Sequence, residues 1–87
     1  MNVSFQRGQQ VACMCWFPTK QSPFPYMVQF KDEEGDIHTI REIDIVKTEK
    51  VFQGIEYTCQ AVFGDRKRIF KLMFFKDDYR WLMTMLT

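Results

Sequence analysis

The residues able to do chemistry in this chain are few: one histidine, His38, three cysteines, Cys13, Cys15 and Cys59, and three short acidic runs. A nucleophile needs a base within hydrogen-bond reach. No Ser, Cys or carboxylate stands at a spacing that assigns it to His38, and the four glycines are scattered singly, so no phosphate-cradling loop is present. The acidic runs are Asp32-Glu33-Glu34 with Asp36, Glu42 with Asp44, and Asp77-Asp78. The first and last fall where hairpin turns favour polar residues. This pattern points away from an enzyme and calls for no cofactor. One metal combination is conceivable. Cys13-x-Cys15 places two thiols on one strand face, and Cys59 with His38 completes a Cys₃His set of the kind that binds zinc. Against it, structural zinc sites use knuckles with two or more intervening residues, and cysteine packs readily as a small hydrophobe. The plainer reading is three reduced thiols and no metal, with His38 a half-buried partner of Phe30.

Two surface groupings suggest binding. Trp16, Phe17, Phe24 and Tyr26 flank a proline-rich loop, Pro18 to Pro25, and such clusters form grooves for protein segments. Arg66-Lys67-Arg68, with Lys71 beyond, forms a basic hairpin tip, and cations beside aromatics are what single-stranded nucleic-acid binding requires. The whole chain lacks a basic excess, however: 12 Lys and Arg face 11 Asp and Glu. Phosphate neutralisation normally demands such an excess. The bland alternatives are loop residues closing one end of the domain, and cations that discourage edge pairing.

The elements that must position these residues read almost entirely at period 2. Ile55, Tyr57, Cys59, Ala61 and Phe63 share one face of a strand, and Glu56, Thr58 and Gln60 share the other. Gly64-Asp65 suits a two-residue turn. With that turn Ile55 faces Phe74, Tyr57 faces Leu72 and Cys59 faces Phe70, apolar against apolar. A turn at Asp77-Asp78 then sets Phe74 against Trp81, Leu72 against Met83 and Phe70 against Met85, on a last strand of about Tyr79 to Leu86. Asp32 to Gly35 reads as a turn joining Tyr26–Lys31 to Asp36–Arg41, with Val28 opposite Ile40 and Phe30 opposite His38. The first strand is Gln10 to Phe17. Apolar parity shifts between Arg41 and Ile43, which suggests a corner in one long bent strand. Thr48 to Gly54 reads as a loop.

These patterns predict one all-β domain spanning 1–87, ordered from about 9 to 86. It is an antiparallel meander of five to six strands closing into a small SH3-like or related barrel, since closure hides sheet edges. Ala12/Met14/Trp16 and Ile69/Met73/Phe75 exceed what one interior needs and point to a covered second face or a homodimer contact. No run approaches the roughly 18 to 20 apolar residues of a membrane span. The N-terminal ten residues lack the apolar core of a secretory signal, so a cytoplasmic location is expected. The expected function is a non-catalytic binding module, first for protein, itself included, and second for single-stranded nucleic acid.

Three stretches carry a resemblance: Pro25-Tyr26-Met27-Val28-Gln29-Phe30-Lys31-Asp32-Glu33-Glu34-Gly35, Gly54-Ile55-Glu56-Tyr57-Thr58-Cys59, and Arg80-Trp81. In these the chain resembles short uncharacterised β-rich proteins of clostridial and related Gram-positive bacteria. The resemblance covers most of residues 10 to 85. It implies a bacterial protein with this all-β fold, and brings no activity with it.

Overall fold

The computed structural model describes residues 8–87; residues 1–7 of the expected domain lie outside that range. Seven strands follow one another: β1 (Gln9–Trp16), β2 (Phe24–Lys31), β3 (Ile37–Ile40), β4 (Asp44–Val51), β5 (Gly54–Phe63), β6 (Arg66–Phe75) and β7 (Arg80–Met85). They form one antiparallel sheet in the order β3-β2-β1-β7-β6-β5-β4. No helix among the described residues is long and apolar enough to cross a membrane.

The expected registers are observed. Phe63 pairs with Arg66 and the ladder runs through Cys59–Phe70, Tyr57–Leu72 and Ile55–Phe74. Phe74–Trp81, Leu72–Met83 and Phe70–Met85 follow on β7, and Val28–Ile40 and Phe30–His38 join β2 to β3. At the β5–β6 turn Gly64 and Asp65 both have positive φ, 63° and 70°. That is the conformation that matches a two-residue hairpin to the twist of its strands.

Four expectations need correction. The strands among the described residues number seven, and the sheet does not close into a barrel. Thr48 to Val51 continues β4, and only Phe52-Gln53 turns the chain into β5, since Val51 pairs with Gly54. Arg41 to Ile43 is also more than a corner in one strand. It links β3 and β4, which occupy opposite edges of the sheet.

That link dictates the shape. Seven flat strands would separate the outer edges by about 29 Å, at roughly 4.8 Å per gap. The step from Ile40 to Asp44 spans at most about 14 Å, at ~3.5 Å per residue. The sheet must therefore roll until its edges approach, and β3 indeed lies near β5. No hydrogen-bonded ladder joins β3 to β4. Glu42, at φ 53°, turns the chain at the seam and directs Ile43 into the core.

The roll encloses Val11, Val28, Phe30, Ile40, Ile43, Tyr57, Cys59, Ala61, Phe70, Leu72, Phe74, Trp81 and Met83. Tyr57 stacks on Trp81 with centroids 5.8 Å apart, and Phe74 lies 4.9 Å from Trp81. The Tyr57 hydroxyl donates to the Pro23 carbonyl, pinning the proline loop to the core. Many of the aromatics therefore serve packing.

Candidate functional site: an exposed aromatic face on the first two strands

The site begins with parity. Val11, Cys13 and Cys15 turn inward on β1, so Met14 and Trp16 must face solvent. On β2, Val28 and Phe30 are buried, and pairing brings Met27 opposite Met14 and Phe24 opposite Trp16. The register slips between Met14 and Cys15, where Cys15 pairs with Pro25. This bulge takes up Tyr26 as an extra residue and turns Pro25 into the interior, where it is fully buried. Tyr26 and Met27 then both face outward.

The result is a cross-strand aromatic pair with flanking apolar groups. Trp16 is 69% exposed, Phe24 52%, Met14 50% and Tyr26 43%. Arg41 borders the face and directs its Nη1 at the Met27 sulfur, 3.4 Å away. With aromatic side chains presenting about 150–250 Å² each, the four exposed groups add up to an apolar patch on the order of 400 Å². The largest apolar patch of a monomer is commonly of this size and is often functional.

Three of the four predicted protein-contact residues, Trp16, Phe24 and Tyr26, thus meet on one face. Phe17 does not. It leaves β1 for the far side of the sheet and packs edge-on against Phe74, at 5.9 Å and 65°. Met14 joins the face in its place, and its outward position follows from the same alternation that exposes Trp16.

The basic hairpin is dispersed. Arg68 donates from Nε to the Phe63 carbonyl at 3.2 Å and from Nη1 to the Thr87 carbonyl at 3.3 Å. Its guanidinium lies 5.8 Å from the Phe63 ring centroid. Lys71 pairs with Glu56 on the outer face at 3.1 Å. Lys67 lines a polar cleft at the β3–β5 seam together with Glu42 and Asp44. Arg66 stays exposed at the tip.

The Cys₃His set is not assembled. His38 Nε2 lies 2.7 Å from Asp32 Oδ2, and the ring packs against Phe30 at 5.3 Å and Phe63 at 5.6 Å. The thiols occupy the interior instead. Burial pushes Cys59 up to about 12. Cys13 is raised first by burial and then by its neighbours Cys15 and Cys59. Cys15 is raised by burial, with Cys13 opposing. A nucleophile must be thiolate, and this environment favours the protonated form. Tyr57, beside the three thiols, is pushed up to about 12, chiefly by burial.

Among the described residues, the donors grouped closely enough to hold a cation are those of Asp32, Glu34 and Asp36. Asp32 is already used by its own turn: Oδ1 accepts from Glu34 N at 2.9 Å and Asp36 N at 3.0 Å, while Oδ2 faces His38. These bonds, the His38 contact first, hold the Asp32 carboxyl below its usual range. The acidic run is therefore turn chemistry, as its position suggested. The His38–Asp32 pair is the feature that period-2 reading missed.

No family model, curated protein or solved structure matches the chain.

Proposed function

We propose that this protein is a non-catalytic interaction module that self-associates through the outer face of β1 and β2. The observation that carries this reading is the Trp16–Phe24 cross-strand pair, both members more than half exposed and flanked by Met14 and Tyr26. Trp and Tyr are the side chains that most often dominate binding energy when buried centrally in an interface. A second copy suits the face because the four exposed groups are uncharged. Two such faces meet apolar on apolar at their centres, with Arg41 left at the border. An apolar centre of ~400 Å² with a polar rim is the size expected at the heart of an interface of about 800 Å² per partner. The nucleic-acid alternative draws less support, because Arg68 and Lys71 are engaged within the fold.

Sedimentation equilibrium over 1 µM to 1 mM tests the reading, using wild type and the variants Trp16→Ser and Phe24→Ser. Wild type is expected to dimerise in the micromolar range, and each variant to weaken the dimer at least about tenfold, the loss of ~1.4 kcal/mol or more at a central aromatic. Both substitutions lie on the exposed face and should leave the fold intact. A wild-type monomer at 1 mM, or variants that dimerise like wild type, would overturn the proposal.

A further inference from the structure

A cleft of about 630 Å³, walled in part by the proline loop between Trp16 and Phe24, brings together residues far apart in the chain. Lys20 comes from the proline loop, Lys50 from the end of β4 and Lys76 from the β6–β7 turn, while Phe17, Phe74 and Tyr79 form the apolar wall. Phe74 is the shared element of that wall, with Phe17 at 5.9 Å on one side and Tyr79 at 6.0 Å on the other. No carboxylate lines the cleft. Among the described residues, Lys20, Lys50 and Lys76 have neither an ion pair nor a side-chain hydrogen bond, whereas Lys47 and Lys71 both have carboxylate partners. Three cations thus line one cleft, none of them in an ion pair of its own.

The backbone places two of these side chains at some cost. Lys20 and Tyr79 have φ of 62° and 52°. Left-handed backbone is uncommon for any residue with a side chain and marked for a bulky ring. At Tyr79 a 2.8 Å bond from its N–H to the Phe75 carbonyl secures the conformation, and at Lys20 the turn closes through Gln21 N to the Pro18 carbonyl at 3.2 Å. Strain of this kind, held by surrounding structure, is concentrated in ligand clamps.

We propose that this cleft binds a phosphate monoester of a planar aromatic or heteroaromatic group, the ring against Phe17, Phe74 and Tyr79 and the phosphate among Lys20, Lys50 and Lys76. The charge count selects the anion. A phosphate monoester carries about −1.5 to −2 at neutral pH, which three lysines match better than a single carboxylate does. The compact, rotatable ammonium groups suit a tetrahedral anion approached from several sides. The volume lies within the range typical of small-ligand sites, about 300–1,000 Å³. Two sources share this chemistry, a free mononucleotide and the 5′-phosphorylated end of a nucleic-acid strand.

Amide-resolved NMR titration of the full chain with AMP, adenosine, inorganic phosphate and a 5′-phosphorylated dinucleotide tests the proposal. AMP should give saturable shifts at residues 20–22, 76 and 79, with adenosine and phosphate each at least about tenfold weaker. Equal affinity for AMP and the dinucleotide supports a mononucleotide site, and tighter dinucleotide binding supports a strand end. Lys50→Glu and Lys76→Glu should each weaken AMP roughly fivefold, as loss of an exposed charge contact does. Lys31→Glu, outside the cleft, should change nothing, and thermal melts of all variants confirm folding. Adenosine or phosphate alone binding as well as AMP, unaltered binding in both lysine variants, or no saturable shift at 10 mM AMP overturns it.

Discussion

Replacing Gly54 by alanine should disable the fold, although the site is a single small residue at a strand end. Gly54 is the first residue of β5, paired with Phe75 on β6 and with Val51 on β4. Its φ lies outside the left-handed region, so conformational freedom is not the issue. Space is. A Cβ there would lie 1.8 Å from the Phe74 carbonyl oxygen, 2.9 Å from its carbon and 3.2 Å from the Lys76 nitrogen. All three are backbone atoms, so no side-chain rotation relieves the clash. The β6 backbone would have to retreat by about 1.2 Å merely to reach the closest contact that real Cβ atoms tolerate. That retreat breaks one or two ladder hydrogen bonds, at about 0.5–1.5 kcal/mol each. It also loosens Phe74, whose full burial is worth about 1.5–3 kcal/mol. The loss comes to roughly 4 kcal/mol, against an expected total of about 4–13 kcal/mol for a chain of this length at 0.05–0.15 kcal/mol per residue. Urea unfolding followed by the fluorescence of buried Trp81, which lies 4.9 Å from Phe74, should show the midpoint collapsing or the variant unfolded in water. Gly35→Ala is the control: it has φ 88° and open space around it, so it should lose only about 1 kcal/mol, from backbone strain. If Gly54→Ala lay within 1 kcal/mol of wild type, β6 would not be held against β5 as described, and the reasoning would fail.

Two titrations follow from the buried and paired groups. Cys59 ionises in the unfolded chain near 9 and in the folded one at about 12; between those values the unfolded state holds fewer protons, so stability falls as pH rises. Urea midpoints should therefore drop from pH 8 to pH 11, and Cys59→Ala should remove up to roughly 2.7 kcal/mol of that loss, the two units between 9 and 11 at 1.36 each; an unchanged loss would refute the burial argument. For Asp32 the sign is opposite. Its carboxyl is held low by His38 and the turn amides, so its contribution is present above the usual carboxylate range and lost as pH falls through the lowered value. Asp32→Asn should melt lower at pH 6 and show a shallower acid slope between pH 5 and pH 2; parallel melting curves for the two proteins would contradict the pairing.

What the sequence revealed and what it hid divide along one physical line. Alternation is legible wherever a strand has one wet and one dry face, because a slip of one residue would expose its whole apolar set. That is why alternation at Ile55, Tyr57 and Cys59 set the inward face, and the pairings of β5, β6 and β7 followed once Gly64-Asp65 and Asp77-Asp78 were taken as the turns. β4 carries no such signature. As an edge strand, its Lys47-Thr48-Glu49-Lys50 run is exposed on both faces, and polar residues at every position look the same in a loop. Missing β4 lowered the strand count and made the Arg41–Ile43 link look like a bend. Closure was expected in order to hide edges. The chain protects the β4 edge by charge instead, with Lys47 and Glu49 paired along it at 3.0 Å, a device edge strands use against unwanted pairing.

The same line bears on the candidate site. Trp16, Phe24 and Tyr26 stood out because they were left over once alternation had assigned the other aromatics to the core. That remainder could not separate Phe17 from its neighbour Trp16, since the end of β1 sends one ring to each side of the sheet. Nor could it find the lysine cleft, whose three cations lie 30 and 26 positions apart: the β4–β5–β6 ladder brings Lys50 near Lys76, and the proline loop adds Lys20. A solvent-facing aromatic pair in a sheet whose β4 edge is protected by charge is therefore informative. On the β4 edge the fold places an ion pair, whereas on β1 and β2 it sets Trp16 beside Phe24, with the Arg41 charge only at the border of the face.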